Sequence, residues 1–170
     1  ALKVKKRQIS EFEAKRISSF LHPTLNMHEL KSADLIIEAV FEDVDLKKSL
    51  FKELEQIVSK DTIIASNTSA LPIGKIIANV AHRERFLGMH YFSPVHKMPL
   101  LEIIKTKDTA PSVIATAFAL GLKQSKTMII VNDSPGFYTT SIMAVYVDEA
   151  AQVCLEGVDF AKIDQIMKDF

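Results

Sequence analysis

The apolar residues fall into short blocks separated by polar breaks, and the blocks show two kinds of spacing. Ala33 to Val40 reads ADLIIEAV, Thr62 to Ala65 reads TIIA, Phe86 to His90 reads FLGMH and Thr127 to Val131 reads TMIIV. Short continuous apolar runs bounded by turn residues predict buried strands. Leu100 to Lys105, LLEIIK, predicts a further strand or an extended edge. Between these runs the spacing becomes helical. Leu46, Leu50, Leu54, Ile57 and Val58 recur on one face, preceded by Glu42, Asp43 and Asp45, acids that suit a helix N-terminus. Leu71 to Val80 predicts a helix with Pro72 in its first turn, and Ala110 to Gly121 another, with Pro111 near its start and Gly121 near its end. Strands alternating with helices of this length predict βαβ units and a mainly parallel sheet.

The two ends of the chain differ from this middle. Residues 1–20 are expected to be helical, with Phe12, Ile17 and Phe20 as an apolar stripe and Lys5, Lys6 and Arg7 on a solvated face. His22-Pro23 ends that pattern. After Asp133-Ser134-Pro135-Gly136, one long apolar helical pattern runs from Phe137 to Leu155, and Asp159 to Phe170 begins another. The expected division is an α/β domain over 1–133 and the start of an all-helical domain over 134–170. The chain begins at Ala1 and stops at Phe170 inside an amphipathic pattern, so a piece of a longer polypeptide is expected.

Composition acts mainly by exclusion. Hydrophobic residues make up 48% and charged residues 25%, an ordinary globular mixture with material for a core. Formal net charge is zero and no basic stripe stands out, which argues against a nucleic-acid partner. The single cysteine, Cys154, precludes an internal disulfide and fits a reducing compartment. It lies in an apolar helical pattern and reads as a small core residue rather than a nucleophile. The opening basic stretch contains Glu11 and Glu13, unlike an acid-poor transit peptide. The five histidines and one cysteine show no metal-ligand spacing, so no metal is expected.

Candidate chemistry gathers at the ends of the strand runs, where open α/β sheets bind ligands. His90 ends one run and can exchange a proton near neutral pH. Glu102 is a lone acid within LLEII, costly there unless paired, and could orient His90 across a turn. The alternative is a structural buried histidine and a glutamate on a solvent-facing edge. His96 reads as an exposed loop residue. Ser69 closes the SNTS run and is either a helix N-cap or a holder of a substrate oxygen. None of the five glycines forms a GxGxxG phosphate loop.

The motifs in order are ADLIIEAVFEDVDLKKSLFKELE, IIASNTSALPI, FLGMHYFSPVHKMPLLEII, GLKQ and NDSPGFYTT. Together they resemble the L-3-hydroxyacyl-CoA dehydrogenase family, and within it the dehydrogenase region of multifunctional β-oxidation subunits of the mitochondrial trifunctional type. The resemblance implies a Rossmann-like parallel sheet lacking its first strand-helix unit, followed by the start of the family's helical C-terminal domain. It implies NAD as cofactor and a 3-hydroxyacyl-CoA as substrate, oxidised to 3-oxoacyl-CoA. By position, His90 matches the catalytic base, Glu102 the acid that orients it, and Ser69 the residue that holds the substrate's 3-oxygen. Thr140 matches an active-site position that is often Asn, while Glu42, Lys47 and Asn67 match positions that line the cofactor. Ser141 stands where the family usually has Arg. The resemblance also implies a homo-oligomer or multienzyme complex and a mitochondrial location, with peroxisome or bacterial cytoplasm as alternatives. Two other readings stay open: a non-catalytic packing or assembly module, and a related dehydrogenase of another small hydroxy acid.

Overall fold

The five expected strand runs pair into one sheet in a computed structural model, which describes residues 2–170. The strands are β1 (Leu35–Glu38), β2 (Ile63–Ser66), β3 (Phe86–Tyr91), β4 (Leu100–Lys105) and β5 (Thr127–Asn132), in that spatial order among the described residues. β1–β2, β2–β3 and β4–β5 are parallel, and β3–β4 is the one antiparallel pair. The mainly parallel, Rossmann-like expectation therefore holds. β4 is an interior strand, not an edge, because β3 and β5 flank it.

Alternation along the strands separates two cores. One face carries Ile64, Phe86, Ile104 and, packed against them, Ile36 and Val131, covered by α3 (Val44–Ile57) and α4 (Ile73–Ile76). The other carries Ile63, Ala65, Leu87, Met89, Leu101 and Ile103, covered by Val113 and Ala117 of α5 (Pro111–Lys123). Asp43 caps α3 by accepting the Leu46 amide at 2.7 Å, and Phe51 of α3 lies edge-on to Phe86 with ring centroids 5.6 Å apart. Phe51 is 1% exposed, so truncation to alanine removes a full aromatic side chain from the core, a loss of about 3–5 kcal/mol. Gly88 allows the face to close. A Cβ there would stand 2.8 Å from Ile104 Cδ1 and 3.0 Å from Ile73 Cδ1.

Two expected helices differ. Residues 1–20 hold two, α1 (Leu2–Lys5) and α2 (Glu11–Ser18), and Ala1 lies outside the described residues. Ser10 separates them by forming a capping box with Glu13, which starts a new helix where a continuous one was expected. Phe12, Ile17 and Phe20 are exposed, so their stripe is not buried. The helix expected over 71–80 is confined to α4. Gly74 and the isoleucines around it are weak helix formers, and no side chain of its own segment caps it. The cap comes from Asp133, whose two carboxylate oxygens accept the Ile73 and Gly74 amides at 2.7 Å each.

The chain then turns through Gly136 (φ 71°) and Phe137 (φ 50°) into α6 (Thr139–Leu155) and α7 (Phe160–Asp169). Neither helix has a buried residue, and Cys154 is only half-buried, not a core residue in this structure. No described helix is long and apolar enough to cross a membrane.

Candidate functional site

The antiparallel step of the sheet creates the site. Register places His90 of β3 directly opposite Glu102 of β4, with both side chains on the face covered by α3 and α4. Their contact is 2.7 Å, from His90 Nδ1 to Glu102 Oε2. An ionised carboxylate only accepts, so Nδ1 carries the proton and Nε2 of the neutral ring is the lone-pair nitrogen. Among the described residues, no hydrogen bond is made by Nε2. Glu102 is fully buried, and its second oxygen accepts the Thr139 amide in the first turn of α6 at 2.9 Å. Phe92 and Phe137 stand against the imidazole, with ring centroids at 4.3 and 6.2 Å. The alternative of a solvent-facing Glu102 is therefore excluded by its burial.

A second polar cluster lies on the same face at the ends of β1 and β2. Lys47 of α3 is buried, and its ammonium meets Glu38 Oε1 at 2.7 Å, Glu42 Oε2 at 3.2 Å and the Val40 carbonyl at 3.4 Å. Its three hydrogens thus each have an acceptor. Glu38 Oε2 accepts the Ser66 hydroxyl at 2.7 Å. Glu42 Oε1 accepts the Thr68 hydroxyl and the Ser69 amide, the latter at 3.2 Å. Burial alone would push the Glu42 carboxyl up. The Thr68 hydroxyl, the Lys47 ammonium and the Ser69 amide outweigh it and hold the carboxyl below its ordinary value.

The SNTS turn joins the two clusters. Thr68, not Ser69, organises it, because Thr68 Oγ1 accepts the Ala70 and Leu71 amides. Ser69 is exposed, and Pro72 takes the N-cap position of α4 with no side-chain cap, so the helix-cap reading of Ser69 fails. The Ser69 carbonyl accepts the Thr140 hydroxyl at 3.1 Å, which brings these two expected site residues together. Asn67 Oδ1 accepts the Tyr91 amide next to His90 at 2.8 Å. Ser141, in the position of the expected arginine, donates to the Phe137 carbonyl at 2.8 Å and so closes the first turn of α6. His96 is exposed, as expected of a loop residue.

Of the expected residues, His90 and Glu102 form one contact pair, Glu42 and Lys47 another, and Asn67, Ser69 and Thr140 lie on the connection between them. Lys47 is the exception in kind, because its buried ammonium reaches the rim only through Glu42, whose side chain is 41% exposed. The sequence reading missed Glu38, Thr68 and Asp133. Glu38 carried the same signal as Glu102, a single acid inside an apolar run. On the opposite sheet face a cleft of about 560 Å³ is lined by Ile37, Asn67, Tyr91, His96, Gln124 and Lys126. Burial raises the Tyr91 phenol above its ordinary value, against the opposing hydrogen bond with Gln124. No group of three or more His, Cys, Asp or Glu among the described residues is placed to hold a metal ion.

Residues 1–134 match the family described as 3-hydroxyacyl-CoA dehydrogenase, NAD binding domain. The chain belongs to that family. Among curated relatives, the fatty acid oxidation complex subunit alpha of Shewanella frigidimarina is 44% identical over 167 residues, covering 98% of this chain and 24% of the relative. The chain thus spans about a quarter of the length of such relatives. The solved structure of (S)-3-hydroxybutyryl-CoA dehydrogenase from Ralstonia eutropha superposes with a TM-score of 0.93 at 35% identity, covering 98% of this chain and 59% of that one. The 3-hydroxybutyryl-CoA dehydrogenase from Escherichia coli gives 0.87 at 30% identity, covering 92% and 33%. The matched family is the NAD-binding domain of oxidoreductases of the 3-hydroxyacyl-CoA dehydrogenase type. These relatives are bacterial, which fits the bacterial-cytoplasm alternative and lends the mitochondrial expectation no support.

Proposed function

We propose that the chain carries the proton-transfer and cofactor-lining part of an NAD-dependent L-3-hydroxyacyl-CoA dehydrogenase of fatty-acid β-oxidation. The observation that carries the reading is the buried 2.7 Å contact of His90 Nδ1 with Glu102, which leaves Nε2 as the base. His90 Nε2 takes the proton of the substrate's 3-hydroxyl. Glu102 holds the ring's tautomer and stabilises the imidazolium that forms, while the Thr139 amide keeps the carboxylate in place. Ser69 holds the 3-oxygen, and Thr140 fixes the Ser69 segment through its carbonyl. NAD, when bound, supplies the hydride acceptor.

The rim residues fit such a cofactor in part. Glu42 presents a half-exposed carboxylate able to accept ribose hydroxyls, and Asn67 is half-buried at the end of β2. Lys47 supports Glu42 from below. A phosphate-cradling GxGxxG is not among these 170 residues, so the isolated chain is expected to bind NAD weakly. The division at 133/134 into NAD-binding and helical domains is part of the same proposal, supported by the lack of any buried residue in α6 and α7. So is assembly into a larger complex, supported by the printed name of the curated relatives.

The test is His90→Gln in the full-length natural polypeptide that contains this chain. Turnover of (S)-3-hydroxybutyryl-CoA with NAD should fall about 10²–10⁴-fold while NADH binding persists. Near-normal turnover would show that His90 is not the base.

A further inference from the structure

Glu38 is the group on which the cofactor-side cluster converges. It ends β1, its side chain is 1% exposed, and all its hydrogen bonds go to segments that carry expected site residues. Oε1 accepts the Lys47 ammonium and the Val40 amide, both at 2.7 Å. Oε2 accepts the Ser66 hydroxyl at 2.7 Å, and Ser66 Oγ in turn accepts the Thr68 amide at 3.3 Å. The Glu38 carbonyl accepts the Asn67 amide at 2.8 Å. One residue therefore ties the end of β1, the end of β2 and the first turn of α3.

We propose that Glu38 is a positioning residue for the dehydrogenase, clamping Lys47 and Ser66 so that Glu42, Asn67 and Ser69 keep a fixed spacing at the cofactor rim. The inference rests on the dehydrogenase reading above. Glu38 touches neither cofactor nor substrate, since its carboxylate is covered on all sides. It acts through Lys47, whose ammonium would otherwise have Glu42 as its only counter-charge, and through Ser66, which begins the SNTS turn. A buried cation with a missing counter-charge rearranges to find one, and Glu42 is the acceptor within reach. Displacement of Glu42 moves the Ser69 amide that it holds. A shift of about 1 Å at a positioned reactant can cost on the order of 100-fold in rate.

The experiment compares Glu38→Gln, Glu38→Asp and Ser66→Ala in the full-length polypeptide, with (S)-3-hydroxybutyryl-CoA and NAD. Rates are normalised to folded protein, and thermal melts are recorded in parallel. E38Q is expected to raise KM for NAD and lower kcat, giving a kcat/KM loss of about 10- to 100-fold, with partial recovery in E38D. S66A should move both parameters in the same direction by about threefold. A lowered melting temperature with KM for NAD and kcat within twofold of wild type would reduce Glu38 to a stabilising residue and overturn the proposal. Should E38Q not fold, E38D and S66A decide by the same criterion: a threefold or larger rise in KM for NAD supports the proposal, and values within twofold overturn it. Wild-type polypeptide without NAD-linked turnover would overturn the dehydrogenase reading itself, which separates the two failures.

Discussion

Glu38 and Glu102 are two versions of one device. Each is a single acid within an apolar strand, each faces the same side of the sheet, and each is almost fully buried. Each gives one oxygen to a basic side chain at 2.7 Å and the other to a neighbouring segment, Ser66 Oγ at 2.7 Å or the Thr139 amide at 2.9 Å. They differ in the partner. Lys47 is a fixed ammonium with all three hydrogens bonded, so the Glu38 pair can hold shape but has no site left to pass a proton. An imidazole has two nitrogens through which a proton can enter and leave, and only Nδ1 of His90 is engaged by Glu102. The same buried carboxylate is structural in one place and suited to chemistry in the other, according to whether the base beside it can change state.

The largest effect that would test this contrast is on rate. Glu102→Gln keeps the shape of the side chain but loses the anion that stabilises the imidazolium, so kcat should fall about 10²–10⁴-fold, measured by steady-state turnover. A kcat close to wild type would erase the distinction between the pairs. Next in size is a stability effect at the other pair. Lys47→Met leaves the Glu38 carboxylate buried without its cation and should cost about 3–5 kcal/mol in denaturant unfolding, whereas His90→Gln should cost distinctly less, because Glu102 keeps the Thr139 amide and can still accept from the new amide group. Equal losses would show that both pairs are structural.

The smallest effect concerns Glu42, the exposed member of the Lys47 cluster. Its folded pKa lies below the ordinary carboxylate value, so it contributes stability that is present above that value and lost as pH falls through the lowered one. Thr68→Val removes one of the donors that lower it. The folded pKa then rises toward its ordinary value, and the acid-dependent part of stability shrinks. A constant loss from the Ala70 and Leu71 amides remains at every pH. The pH-dependent part should stay under about 1 kcal/mol because the side chain is 41% exposed. Unfolding curves for both proteins from neutral pH down through the carboxylate range check this, and parallel curves would place the lowering elsewhere.

Much of the architecture was legible along the chain. The strand runs, α3 with its acidic start and α5 with Pro111 and Gly121 stand where periodicity and capping residues put them. The His90–Glu102 pairing was also readable, because an acid inside LLEII needs a partner and a histidine ends the preceding run. The same argument applied to LIIEAV would have exposed Glu38, and there the signal was present but unused. Other features left no local trace. Asp133 caps α4 from 59 and 60 positions away, and Thr139 reaches Glu102 across 37. The helix expected over residues 1–20 failed because Ser10 and Glu13 satisfy each other's backbone needs and start a second helix.

The sequence by itself therefore determined the alternation of strand and helix, the two apolar faces of the sheet and the residue types available for proton transfer. These depend on spacing within one segment, where backbone geometry translates period directly into face. Tertiary structure decided the rest. It made β4 interior and antiparallel to β3, which sets His90 against Glu102, and it buried Lys47 between two carboxylates. It also brought the start of α6 onto Ser69 and Glu102. Those outcomes rest on contacts between segments far apart in the chain, where burial of a charge is tolerable only because another segment supplies its partner.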